Sequence, residues 1–195
     1  MEGDMLKSWK LKEVVLVSVL SVVFAVVYLL FVHIGNLWAG LIGPIAYEWI
    51  FGIWFIVSII SAYIIRKPGA AFISEVMAAT IEMLIGNAIG PRIILVGIVQ
   101  GLGAEAVFAM TGYRRYELWV LMLAGFGSAV TSFVYTYFMS GFAMLEPGYV
   151  ATMFGLRAVS GMVIAGIGGK LLSDLLLKTG SLRGYAISRS GNVHG

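Results

Sequence analysis

Four glutamates and two arginines stand within or beside stretches that are otherwise apolar: Glu48, Glu75, Glu82, Glu105, Arg92 and Arg157. The plainest case is TIEMLIGNAIGPR at 80–92, a carboxylate followed by a Gly-Asn…Gly-Pro-Arg turn. Charged groups at membrane depth are costly, face the bundle interior or a wet cavity, and mark ligand or ion pathways. A carboxylate there can accept from a ligand, balance a cation, pair with an arginine, or stay neutral through desolvation. The spacing leaves these roles open: Glu82 could face a ligand or pair with Arg157 or Arg92. An unpaired Arg157 would instead point to a phosphorylated ligand.

Other chemistry is poorly supplied. There is no cysteine, and the two histidines are His33 and His194. Thiolate, metal and Ser-His-Asp chemistry therefore lack their parts. GLGAEA at 101–106 has the look of a dinucleotide loop but follows no strand. GIGGK at 166–170 lacks the first glycine of a phosphate loop, and Leu171 replaces its Ser or Thr. No cofactor, metal or enzymatic activity is expected. Uphill transport would draw on a partner or an ion gradient.

The elements that must hold these residues are membrane helices. Of 195 residues, 60% are hydrophobic and 12% charged, against about half and a quarter in soluble domains. Mean hydropathy is +0.96. Six segments reach the roughly 20 residues that a span requires: 13–34, 43–65, 69–88, 91–111, 117–140 and 149–177. Lys7, Lys10 and Lys12 precede the first, Arg66 and Lys67 join the second and third, and Arg114 and Arg115 join the fourth and fifth. Lys178, Arg183 and Arg189 follow the sixth. The other connections carry no Lys or Arg besides Arg92, so the positive-inside rule places both termini in the cytoplasm. Those edges account for the net charge of +3, and nucleic acid is not expected as a partner. No secretory signal is expected, because Met1-Glu2-Gly3-Asp4 is acidic and the following run is too long. The expected architecture is an all-α, six-transmembrane-helix bundle over 1–185, with a mobile polar tail at 186–195.

This topology gives each group a depth. Glu48, Glu82, Gln100 and Arg157 fall in the outer half, where they could line one cavity opening outward. Glu75 and Glu105 fall in the inner half and are expected to serve another purpose. Glu75 and Glu82, seven apart, share a helix face with Ala78 and Ala79 near it. Trp38, Tyr47, Trp49, Tyr135, Tyr137 and Tyr149 gather near the outer boundary, where aromatic belts also form without any ligand. Trp38 sits in a Gly-rich loop at 35–43 that could fold over a cavity. Gly97-xxx-Gly101, Gly125-xxx-Ala129 and Gly161-xxx-Ala165-xxx-Gly169 permit close helix packing. Ser18, Ser21 and Ala25 form a small stripe on the first helix, for packing or for a partner.

NLWAGLIGPIAYEWIFGIWF at 36–55 and EMLIGNAIGPRIILVGIVQGLGAE at 82–105 resemble the substrate-binding S components of energy-coupling factor (ECF) vitamin transporters, of the YkoE type. The resemblance runs through nearly all of 6–185. It implies a bacterial plasma-membrane protein that captures thiamine or its hydroxymethylpyrimidine (HMP) precursor outside. The protein then docks on a transmembrane T component driven by two ABC-type ATPase domains. Such docking uses small residues of the first helix, here Ser18, Ser21 and Ala25, which keep only part of the usual alanine pattern. Thiamine carries a cationic thiazolium and an aminopyrimidine. Glu82, Glu48, Asn87, Gln100, Trp38, Tyr135 and Tyr47 offer the matching carboxylates, amides and aromatic faces. A proton-coupled secondary transporter of a small cationic or aromatic molecule, with Glu82 or Glu48 as the coupling carboxylate, is the alternative.

Overall fold

The computed structural model describes residues 9–191, and all regular structure among them is helical. The elements are α1 (Leu11–Ile42), α2 (Ile45–Ile50), a 3-10 turn (Phe51–Phe55), α3 (Ile56–Ile65), α4 (Ala70–Leu84) and α5 (Arg92–Met110). They continue with α6 (Leu118–Met139), a short 3-10 turn (Phe142–Met144), α7 (Pro147–Ser160), a π-helical stretch (Gly161–Gly168), α8 (Gly169–Lys178) and α9 (Ala186–Gly191). They stack into six rods. Five of these, Leu11–Ile42, Ile45–Ile65, Arg92–Met110, Leu118–Met139 and Pro147–Lys178, are long and apolar enough to cross a membrane. The sixth, α4, has 15 residues and falls short of the roughly 20 that a perpendicular span requires.

The first rod differs from expectation. The Gly-rich stretch at 35–43 is not a loop: α1 continues through it to Ile42 and ends at Gly43, whose φ of 80° favours glycine. Helix persists because Leu37, Trp38, Ala39, Leu41 and Ile42 tolerate it, and Gly35 serves packing. A Cβ at Gly35 would lie 2.5 Å from Tyr47 Cε1. The small stripe also turns inward. Ser21 and Ala25 are buried, and Ser21 Oγ donates to the Ser74 carbonyl at 3.0 Å. Ser18 is half-buried and bonds its own helix at Val14. Ser21 and Ala25 are therefore an internal seam, and the open face of α1 is the valine stripe Val15, Val19, Val22 and Val26.

The second rod is broken, and neighbours satisfy its freed backbone groups, as irregular backbone at membrane depth requires. The Gly52 N–H donates to Ser160 Oγ at 3.0 Å, and that hydroxyl donates to the Trp49 carbonyl at 3.0 Å. The Val57 N–H donates to Tyr28 Oη at 3.2 Å. Every residue of α3 is buried, which makes it the bundle's axis. Glu105 caps α4 from α5, accepting from the N–H groups of Gly69 (2.5 Å), Ala71 (3.1 Å) and Phe72 (3.1 Å), and from Tyr113 Oη at 2.9 Å. Glu146 caps α7 within its own chain segment, and the Gly148 and Tyr149 N–H groups hold its carboxyl below the usual range.

Residues 186–191, expected as the start of a mobile tail, form α9. Ile187 is buried, and Tyr185 Oη donates to the Lys12 carbonyl at 3.0 Å. Lys7 and His194 lie outside the described residues. The glycine patterns meet as anticipated: a Cβ on Gly125 would overlap the Gly161 carbonyl oxygen, and one on Gly161 would lie 2.6 Å from the Gly125 oxygen. Gly155 faces open space. Gly125→Ala should therefore lower the thermal transition in detergent, at a cost of roughly 1–3 kcal/mol of overpacking. Gly155→Ala should leave the transition unchanged or raise it.

Candidate functional site

A cavity of about 390 Å³ opens at the end of the bundle where α4 turns into α5. Its deep end is made by Tyr28 of α1, Glu75 of α4 and Gln100 of α5. Glu75 is 1% exposed and accepts from Ser58 Oγ at 2.6 Å and Tyr28 Oη at 3.5 Å. Glu82 lies seven residues on, about 10 Å nearer the mouth at 1.5 Å per residue.

The turn at 85–91 holds Asn87 against Glu82. Asn87 Nδ2 donates to Glu82 Oε1 at 2.6 Å, and the Asn87 N–H donates to the Glu82 carbonyl at 3.1 Å. Asn87 Oδ1 accepts from the Ile89 N–H at 2.8 Å, which fixes the amide's orientation. Opposite them stands Tyr135. Arg92 donates to its hydroxyl (3.2 Å) and to the Met139 carbonyl (2.6 Å).

The broken second rod supplies the aromatic wall. Tyr47, Phe51 and Trp54 line the cavity, with Trp54 6.0 Å from Tyr47 and 5.5 Å from Phe51 between ring centroids. Trp54 Nε1 donates to the Tyr28 carbonyl at 3.1 Å, and Tyr47 Oη donates to Asn36 Oδ1. A helix running straight through 51–55 would not present these rings at the same angles. The arrangement is an apolar, aromatic slot with two carboxylates spaced along one side, and Arg92 is the one cation among its lining residues.

Comparison with known proteins identifies the architecture. Residues 12–131 match the family model for the permease component of the ABC-type cobalt transport system. A crystal structure of an S-component of an ECF transporter superposes with a TM-score of 0.93 at 58% identity, covering 95% of this chain and 94% of that one. The chain belongs to the ECF transporter S components. YkoE of Bacillus subtilis (strain 168), which carries the provisional name HMP/thiamine permease protein, is 59% identical over 184 residues. That span covers 94% of this chain and 92% of YkoE. These relatives are membrane transport proteins and not enzymes, and the YkoE-type resemblance holds.

The S component gathers five of the seven ligand-binding candidates around one space: Glu82, Asn87, Gln100, Tyr135 and Tyr47. Two lie elsewhere. Glu48 does not line the cavity. It is 1% exposed and binds Arg157 through two contacts of 2.6 Å, Nε to Oε2 and Nη2 to Oε1. Arg157 is thereby paired, and Glu82 takes Asn87 as its partner instead of an arginine. Trp38 is 45% exposed at the end of α1, beside Leu41, Ile42 and Trp49, because the loop expected to carry it over the cavity is helix.

Conversely, Glu75, Tyr28, Phe51 and Trp54 enter the site unanticipated. The seven-residue spacing from Glu82 puts Glu75 on the cavity side of α4, whereas its place along the expected span had assigned it to the inner half and to another purpose. The three rings had no signal of their own within apolar runs.

The buried pair supports the wall from behind. The Arg157 guanidinium lies 3.6 Å from the Phe51 ring centroid and 4.9 Å from that of Phe133, and its Nη1 donates to Thr136 Oγ1 at 3.1 Å. Glu48→Ala leaves a buried guanidinium without its counter-charge and should cost about 3–5 kcal/mol. The Glu48→Leu/Arg157→Met double variant should recover most of that loss in thermal unfolding, because no uncompensated charge remains.

Proposed function

We propose that this S component captures thiamine or HMP in the cavity between Glu75 and Arg92 and hands it to a T component driven by ABC-type ATPase domains. The observation that carries this reading is one slot with an aromatic wall on one side and Glu75 and Glu82 on the other. A thiazolium cation is attracted to aromatic faces by about 0.5–2 kcal/mol, depending on desolvation. A carboxylate beside it balances the charge or accepts from an amino group. The volume of about 390 Å³ lies within the range of about 300–1,000 Å³ usual for small-molecule sites. The name of the YkoE relative supports the same ligand class.

The cobalt in the family model's description fits less well. Among the described residues, no three metal-ligating side chains lie together. An aromatic slot suits an organic ligand better than a hard or borderline ion.

In this reading the six rods span the plasma membrane of a bacterium. α4 is the short span, and both termini are cytoplasmic. Arg66, Lys67, Arg114 and Arg115 then sit on the cytoplasmic side, which accords with positive-inside topology, and the cavity mouth faces outward. The exposed valine face of α1 is the surface available to the T component or to lipid.

Calorimetric titration of the detergent-solubilised chain should show saturable binding of thiamine and HMP and none of riboflavin, which has neither the aminopyrimidine nor a fixed positive charge. Glu82→Ala and Glu82→Gln should weaken thiamine by about tenfold or more, the equivalent of one lost charge-assisted contact. Full retention in both variants would remove Glu82 from the site. Uptake that follows the proton gradient and ignores ATP depletion would favour the secondary transporter instead.

A further inference from the structure

The deep end of the cavity carries two hydrogen-bonding groups of opposite kind, side by side. Glu75 and Gln100 are 1% and 2% exposed, and both line the cavity. Their helices touch at this level: a Cβ on Gly101 would sit 3.2 Å from Glu75 Cβ, and one on Gly97 would sit 3.2 Å from the Glu75 carbonyl oxygen.

Gln100 Nε2 has no hydrogen-bond partner among the described residues. A buried amide donor left unpaired is rare in native structures and calls for a partner. The Gln100 main-chain carbonyl is already held by Ser128 Oγ at 2.8 Å, which fixes the backbone that carries the side chain. Glu75 is differently placed. Ser58 Oγ and Tyr28 Oη both reach its Oε2. A carboxylate offers about four acceptor sites, so it retains capacity for a ligand donor. One helix thus presents an acceptor and its neighbour an unused donor.

We propose that Glu75 and Gln100 together read the amidine edge of a 4-aminopyrimidine. The exocyclic amino group donates to Glu75, and the adjacent ring nitrogen accepts from Gln100 Nε2. This assignment rests on the vitamin-capture reading and gives the ligand a direction. The pyrimidine goes inward, flanked by Tyr28 and Trp54. The substituent at its C5 points toward Glu82, Asn87 and Arg92. HMP then carries the whole recognised edge, and the thiazolium of thiamine rests near the Glu82 carboxylate. A 4-oxo ring reverses the edge, setting a carbonyl against the carboxylate and a ring N–H against the amide N–H. Turning the ring over restores the order only by swinging the C5 substituent away from the mouth.

The test is a titration of the full chain in detergent with HMP, thiamine and the 4-oxo counterpart of each. The unmodified protein should bind both 4-oxo forms about 100-fold more weakly, through two mismatched contacts at roughly tenfold each. Glu75→Gln and Gln100→Leu, checked for an unchanged thermal transition, should each weaken HMP by about tenfold or more and shrink the amino-over-oxo preference. The reciprocal exchange Glu75→Gln/Gln100→Glu should shift preference toward the 4-oxo ring. Equal binding of amino and 4-oxo ligands by the unmodified protein would overturn the edge assignment while leaving vitamin capture standing. A full amino-over-oxo preference retained in both single variants would also overturn it, by moving the reading of the edge elsewhere. Failure of a folded sample to bind any of the four would overturn vitamin capture and this assignment together.

Discussion

A guanidinium inside an apolar bundle must be neutralised and hydrogen-bonded where it stands, and Arg157 meets that demand through Glu48, Thr136 and two phenyl rings. The pair ties the six-residue α2 to α7. That tie brings the chain into the 3-10 turn at Phe51–Phe55 with Phe51 under the guanidinium and Trp54 bonded to the Tyr28 carbonyl. Ser160, three residues beyond Arg157, satisfies the backbone at the break. The aromatic wall of the cavity thus depends on an ion pair that never touches the cavity itself. Such a pair contributes little net stability against an apolar substitute. Its effect lies in fixing where the second rod breaks and which rings turn inward.

Much of the architecture was legible because membrane burial leaves a coarse signal. Long apolar runs, basic residues at alternate connections and small residues at helix crossings all appear in the fold. The departures have physical causes. Residues 35–42 hold two glycines, yet glycine alone does not end a helix whose other residues favour it. The stop comes at Gly43-Pro44, where a positive φ and a missing N–H coincide. The 3-10 and π segments had no local signature, because the contacts that stabilise them come from other helices. The inward turn of Ser21 and Ala25 follows from the angular position of α1 against α4, which a nearly all-apolar helix does not reveal.

A carboxylate in an apolar run marks a constraint without saying which one. Four glutamates meet four solutions here: an arginine at Glu48, a pair of hydroxyls at Glu75, an amide at Glu82 and a helix N-terminus at Glu105. Three of these partners come from other helices, and that of Glu82 stands five residues on in the turn that follows it. The shared face of Glu75 and Glu82 was the more dependable clue, because helix periodicity is local physics, whereas depth along a span shifts with tilt and helix length.

Capture in this cavity requires the ligand to occupy the slot against Trp54 and not the exposed groove of Trp38, Leu41, Ile42 and Trp49 at the end of α1. The change in tryptophan emission on adding thiamine tests this most directly, measured in Trp54→Phe, Trp38→Phe and Trp49→Phe variants that still bind by calorimetry. The change should be lost in Trp54→Phe and kept in the other two. A signal that survives Trp54→Phe and disappears in Trp38→Phe would contradict capture in this cavity.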